Sequence, residues 1–74
     1  MQVNASLHVT SEVAESFPSR PDRVQECRAA AATEMARLAS ERNRHLTSAP
    51  ELADVRDTQL GFVELTFVAD TESD

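Results

Sequence analysis

The sequence predicts a small two-layer α/β domain, with α+β packing of the same elements as the variant. Three stretches predict it. Gln2 to Thr10 alternates polar and apolar residues, Arg20 to Leu46 holds four consecutive alanines and no glycine, and Gln59 to Ala69 is a second, more apolar alternating run. Alternation at period two marks a half-buried strand, and a 3.6-residue apolar period marks an amphipathic helix. The expected order is strand, long helix, short helix, strand. Residues 1–69 form one domain, and residues 70–74, with three acids among five residues, read as an acidic disordered tail.

In the first strand, Val3, Ala5, Leu7 and Val9 share one face, and Asn4, Ser6, His8 and Thr10 share the other. Ser11 to Ser19 is a connector, with Val13 and Phe17 available to close one end of the core. Ser19-Arg20-Pro21-Asp22 then reads as a helix start: serine as N-cap, proline in the first turn, an acid three residues on.

The long helix should run to Leu46, since alanine, arginine, glutamate, leucine and methionine are its best formers. At 100° per residue, Val24, Cys27, Ala31, Met35 and Leu38 make one apolar stripe suited to a sheet. Ala29, Ala32, Thr33, Ala36 and Ser40 make a second arc of small residues, a candidate helix–helix interface. Glu26, Glu34, Arg37, Glu41 and Arg44 form the charged side, with Glu34–Arg37 and Glu41–Arg44 spaced for ion pairing. Arg42 falls on the apolar stripe and marks its end.

Ser48-Ala49-Pro50-Glu51 repeats the helix-start pattern, so a short helix is expected from Ala49 to about Arg56 with Leu52 and Val55 inward. In the last strand, Val63, Leu65 and Phe67 face one way and Leu60, Phe62 and Val68 the other. The two strands, joined through helix, can lie parallel in one sheet. A two-stranded sheet is marginal and exposes both edges. The sequence therefore predicts a sheet completed by a second chain, most simply in a homodimer.

Composition narrows the function. A chain of 74 residues makes a marginal core, and a single cysteine, Cys27, forbids an internal disulfide. Net charge is −6: residues 1–19 carry −2, residues 20–46 carry +2, and residues 47–74 carry −6. That distribution argues against direct nucleic-acid binding, which needs a basic surface. No apolar run approaches the ~20 residues of a membrane span. MQVNASLHVT has no basic n-region and no apolar segment, so it does not read as a signal peptide, and a cytoplasmic location is expected. Lys, Ile, Tyr and Trp are absent and every basic residue is Arg. This usage suits a high-GC genome, bacterial or of a phage infecting such a host.

Candidate chemistry is sparse. One Cys and two distant His do not make a zinc site, and Cys27 lies on the apolar stripe rather than beside a base. The lone glycine, Gly61, sits inside a strand, so no phosphate loop exists. Glu64 interrupts an apolar strand and is the acid to watch, with His8 and His45 as surface histidines. No catalytic, cofactor-binding or metal-binding residue is assigned, and no cofactor or small-molecule ligand is implied.

The expected function is a small acidic, non-enzymatic protein-interaction module, homo-oligomeric, of the kind a phage or accessory regulatory factor supplies. Glu51, Asp54 and Asp57 are its candidate acidic contacts with a partner. The alternatives are a structural subunit of a phage particle or larger assembly, and an enzyme whose site forms between subunits.

Overall fold

The computed structural model describes residues 2–73. Its order is β1 (Gln2–Thr10), α1 (Ser11–Glu15), α2 (Pro21–Glu41), β2 (Arg44–Leu46), β3 (Glu51–Asp57) and β4 (Phe62–Ser73). β4 is the spine of a four-stranded sheet. One of its sides carries β1 along residues 62–70; the other carries β3 along residues 63–68 and β2 along residues 71–73. Every pairing is antiparallel. The α/β expectation holds, but the outer strands flank a central antiparallel β4 instead of lying parallel, and all four strands come from one chain.

Alternation does the building. Val3 and Ala5 of β1 are buried, as are Val63, Leu65, Phe67, Ala69 and Thr71 of β4. These odd-numbered residues share the face against which α2 packs through Ala31 and Met35; Ala39 is buried as well. Leu7, Val9, Ala14, Phe17, Cys27, Leu38 and Leu46 close the margins. Phe67, Met35 and Leu65 are the largest fully buried side chains, each contributing about 1.5–3 kcal/mol by leaving water. The expected stripe is right at Ala31 and Met35, half-buried at Val24, Cys27 and Leu38, and lacks Ala39, which is 1% exposed.

The long helix is shorter than its sequence suggests. Arg20, not Ser19, is its N-cap and makes no side-chain capping bond; Pro21 opens the first turn. At the other end Asn43 adopts φ +55°, and its N–H donates to the Ser40 carbonyl. Asparagine tolerates this left-handed geometry, which terminates helices. Arg42 is the exposed C-cap, so the buried section ends before it. Arg44, His45 and Leu46 then become β2 rather than a further turn of helix.

The expected short helix at Ala49 to Arg56 is instead strand β3. Leu52 pairs with Phe67 and Val55 with Leu65, with a register shift between Leu52 and Asp54. The bulge inserts an extra residue, so side chains three apart land on one face. That spacing imitates a helical turn. The tail is also corrected: residues 70–73 continue β4, and Asp74 lies outside the described residues. Arg44 secures this end, donating from Nε to Thr71 Oγ1 (2.8 Å), from Nη2 to the Thr71 carbonyl (3.0 Å) and from Nη1 to Ser73 Oγ (3.0 Å). The Ser11–Ser19 connector contains α1, capped by Thr10, whose Oγ1 accepts from the Val13 N–H.

Candidate interaction surfaces

With helices on one face, the other face of the sheet is open. It is organised as cross-strand polar pairs, which stabilise a solvated antiparallel face. Gln2 Nε2 donates to Asp70 Oδ1 (3.3 Å), the hydroxyls of Ser6 and Thr66 bond at 3.1 Å, and His8 Nε2 lies 3.3 Å from Glu64 Oε2. On the far side of β4, Arg56 stands opposite Glu64 and Asp54 opposite Thr66; His45 of β2 stands opposite Glu72. Glu64 thus sits in a row between His8 and Arg56, in the half-exposed middle of the face.

The row commits its polar side chains to cross-strand partners. The Ser6 hydroxyl turns to Thr66 across the sheet, and His8 turns to Glu64, so no nucleophile–base hydrogen bond links Ser6 to His8. Among the described residues, no group of three His, Cys, Asp or Glu side chains converges as metal ligands. Burial, with the Glu26 carboxylate adding to it, pushes the Cys27 thiol up, away from the thiolate a nucleophile needs.

The candidate residues from the sequence separate in space. In the alanine arc, Ala29, Thr33, Ala36 and Ser40 are exposed and Ala32 half-buried, with the Thr33 hydroxyl donating back to the Ala29 carbonyl (3.2 Å). The three acids of β3 are exposed but do not form one patch. Glu51 and Asp54, opposite Val68 and Thr66, share the open face. Asp57, opposite Val63, points to the helix face, and its Oδ1 accepts from the Gln59 N–H (2.8 Å) in the turn that follows.

Two apolar features escape the sequence reading. Leu52 and Val55 lie on the helix face, yet are 37% and 55% exposed. A shallow groove there is lined by Ala14, Val55 and Val63, with Ser11, Glu15 and Asp57 at its margins. Leu60 and Phe62, 79% and 48% exposed, form a small apolar patch with Thr58 and His8 at the β3–β4 turn. In the sequence, the three-residue spacing of Leu52 and Val55 imitates an inward helical face.

The two outer edges of the sheet differ sharply. β3 carries Glu51, Asp54 and Asp57, follows Pro50 and is bulged. Charges, proline and bulges all discourage pairing with another strand. β1 has none of these: Gln2 to Thr10 contains no Asp, Glu, Lys, Arg, Pro or Gly, and its register with β4 runs unbroken over nine residues.

The class defined here is a helix-backed antiparallel α/β sheet with one guarded edge and one open edge. No family model matches the chain, and no curated protein or solved structure matches it. Among the described residues, no helix is long and apolar enough to cross a membrane.

Proposed function

We propose that this chain is a small acidic protein-interaction module that self-associates, and that its activity is binding rather than catalysis. The observation that carries the reading is the unguarded β1 edge. An uninterrupted strand of nine residues leaves its outer N–H and C=O groups available for pairing with another chain. The opposite edge carries three acids and a bulge.

The sheet does not need a second chain to reach four strands; it needs one to cover an edge. The alanine arc, exposed except at half-buried Ala32, and the β3 acids remain available to further partners in this reading. Light scattering behind a sizing column, over a wide concentration range, tests it. The expected result is a mass that is a multiple of 8.1 kDa and converges on one value as concentration rises. A folded monomer at every concentration overturns the proposal.

A further inference from the structure

We infer that the partner at the open edge is a second copy of this chain, with the two β1 strands pairing antiparallel about a two-fold axis at Ser6. This rests on the self-associating reading above and gives it a geometry.

Backbone directions come first. The Ser11 N–H donates to the Gly61 carbonyl (3.0 Å), continuing the β1–β4 register past Thr10. In an antiparallel ladder, the residues that exchange bonds with a given neighbour alternate. Odd-numbered residues of β1 therefore bond to β4, and Gln2, Asn4, Ser6 and His8 aim their N–H and C=O outward. Asp70, opposite Gln2, agrees: its N–H donates to Ser48 Oγ and its carbonyl accepts from the Thr47 N–H, both at 2.9 Å and both away from β1.

Two copies related by a two-fold axis through Ser6 match these outward groups to one another. Ser6 faces the partner's Ser6, and Asn4 faces the partner's His8. These positions give about six ladder hydrogen bonds, two for each facing pair. On the helix face, Val3 meets the partner's Val9 and Ala5 meets the partner's Leu7. Leu7 and Val9 are the half-buried members of the β1 apolar face, and this register covers both. A slip of one residue would set apolar side chains against polar ones. A slip of two toward the N-terminus would leave Val9 beyond the end of the partner's β1.

Charge selects a second copy over an unrelated partner. Two chains of −6 repel at long range, and a contact made through uncharged surface adds no like-charge juxtaposition to that repulsion. Residues 1–11 form the longest stretch of the sequence without Asp, Glu, Lys or Arg, and that stretch contains the open edge. A partner recognised by charge would find nothing on this edge to read.

The test follows from the backbone geometry. Ser6→Pro removes an outward N–H and no bond to β4, a placement proline tolerates on an edge strand. The expected outcome is that wild type has twice the 8.1 kDa mass and Ser6→Pro is a folded monomer by circular dichroism and light scattering. Ser6→Cys in a Cys27→Ser background is the second test. Facing Cα atoms in a bonded pair lie about 5.5 Å apart, within the ~4.4–6.8 Å reach of a disulfide, so mild oxidation should cross-link most of the protein as dimer. An exposed control, Thr47→Cys, should not cross-link comparably. A folded Ser6→Pro that remains dimeric, or Ser6→Cys that cross-links no better than the control, overturns the β1 pairing while leaving self-association standing. Wild type that stays monomeric overturns both. If Ser6→Pro does not fold, the cross-linking result decides.

Discussion

At the residue scale, stability rests on few side chains, so single changes should have large effects. Phe67 is fully buried at the centre of the spine strand. Phe67→Ala should cost about 3–5 kcal/mol, against a total of roughly 4–11 kcal/mol for a domain of this size. Urea unfolding should show the midpoint falling by at least about a quarter, and to zero if the total lies at the low end of that range. Arg28 makes the opposite case. Its Nε is buried without an acceptor among the described residues, while its Nη1 reaches only Gln25 Oε1 at 3.4 Å. Arg28→Met should leave stability unchanged or raise it by about 1 kcal/mol, because it removes a desolvated donor and keeps the apolar stem. A fall of similar size would mean that the guanidinium is satisfied in solution. Cys27 reports on the same packing. With its thiol pushed up by burial and by Glu26, reaction with a soluble disulfide reagent at pH 8 should be slow when folded and many-fold faster in urea. Rapid labelling of the folded chain would contradict a thiol held at the core margin.

At the element scale, Asn43 ends α2, and Ala53, the extra residue between Leu52 and Asp54, forms the bulge of β3. Asn43 holds φ +55° beyond the last helical turn. Asn43→Ala should cost about 1 kcal/mol and Asn43→Gly almost nothing, since only the Cβ resists that conformation. Equal losses would show that the side chain, not the backbone angle, matters there. The same two positions explain what the sequence disclosed. β1 and β4 were legible because their alternation is unbroken on the buried face. α2 was legible through its interior, but Asn43, a stop signal carried by a common polar residue, passed as one more helical position. β3 was misread because the bulge between Leu52 and Asp54 gives a strand the three-residue spacing of a helix turn, next to a serine, proline and acid that fit a helix start. Deleting Ala53 tests that account. It should restore simple alternation, with Leu52, Asp54 and Val55 consecutive opposite Phe67, Thr66 and Leu65. Leu52 and Val55 then stay on the helix face, and amide exchange along β3 should not rise; a rise would mean that the bulge itself stabilises the strand. The end of β4 was illegible for a different reason: its order depends on Arg44, distant in sequence, bonding Thr71 and Ser73, and no local pattern reveals that contact. Of the candidate site, the sequence offers the alanine arc as a helix–helix interface and the β3 acids as partner contacts. Among the described residues of the monomer, the arc meets no second helix; the open edge is invisible until the strand order is known.

At the scale of the whole molecule, charge and edge pairing make opposite demands, and salt separates them. Each copy carries −6, concentrated in residues 47–74, whereas residues 20–46 carry +2. Two modes of association are consistent with that distribution. In one, the uncharged β1 edges pair, and the net charge only opposes approach. In the other, the Arg-bearing helix of one copy meets the acidic β3 region of the next, and charge drives the contact. Raising ionic strength from about 10 mM to about 1 M shortens the screening length from roughly 30 Å to roughly 3 Å. Screening weakens repulsion in the first mode, so the dimer dissociation constant should fall several-fold as salt rises. It weakens attraction in the second, so the constant should rise. Backbone hydrogen bonds and the covering of Leu7 and Val9 change little over that range by comparison. The second mode also joins unlike surfaces, which generates open chains unless the rotation happens to close. Mass should then keep growing with concentration at low salt instead of reaching a plateau at two copies. Sedimentation equilibrium at the two salt extremes measures both quantities together. Tightening with salt and a plateau at two copies is the result that edge pairing requires; weakening with salt and continued growth would transfer the contact to the charged surfaces.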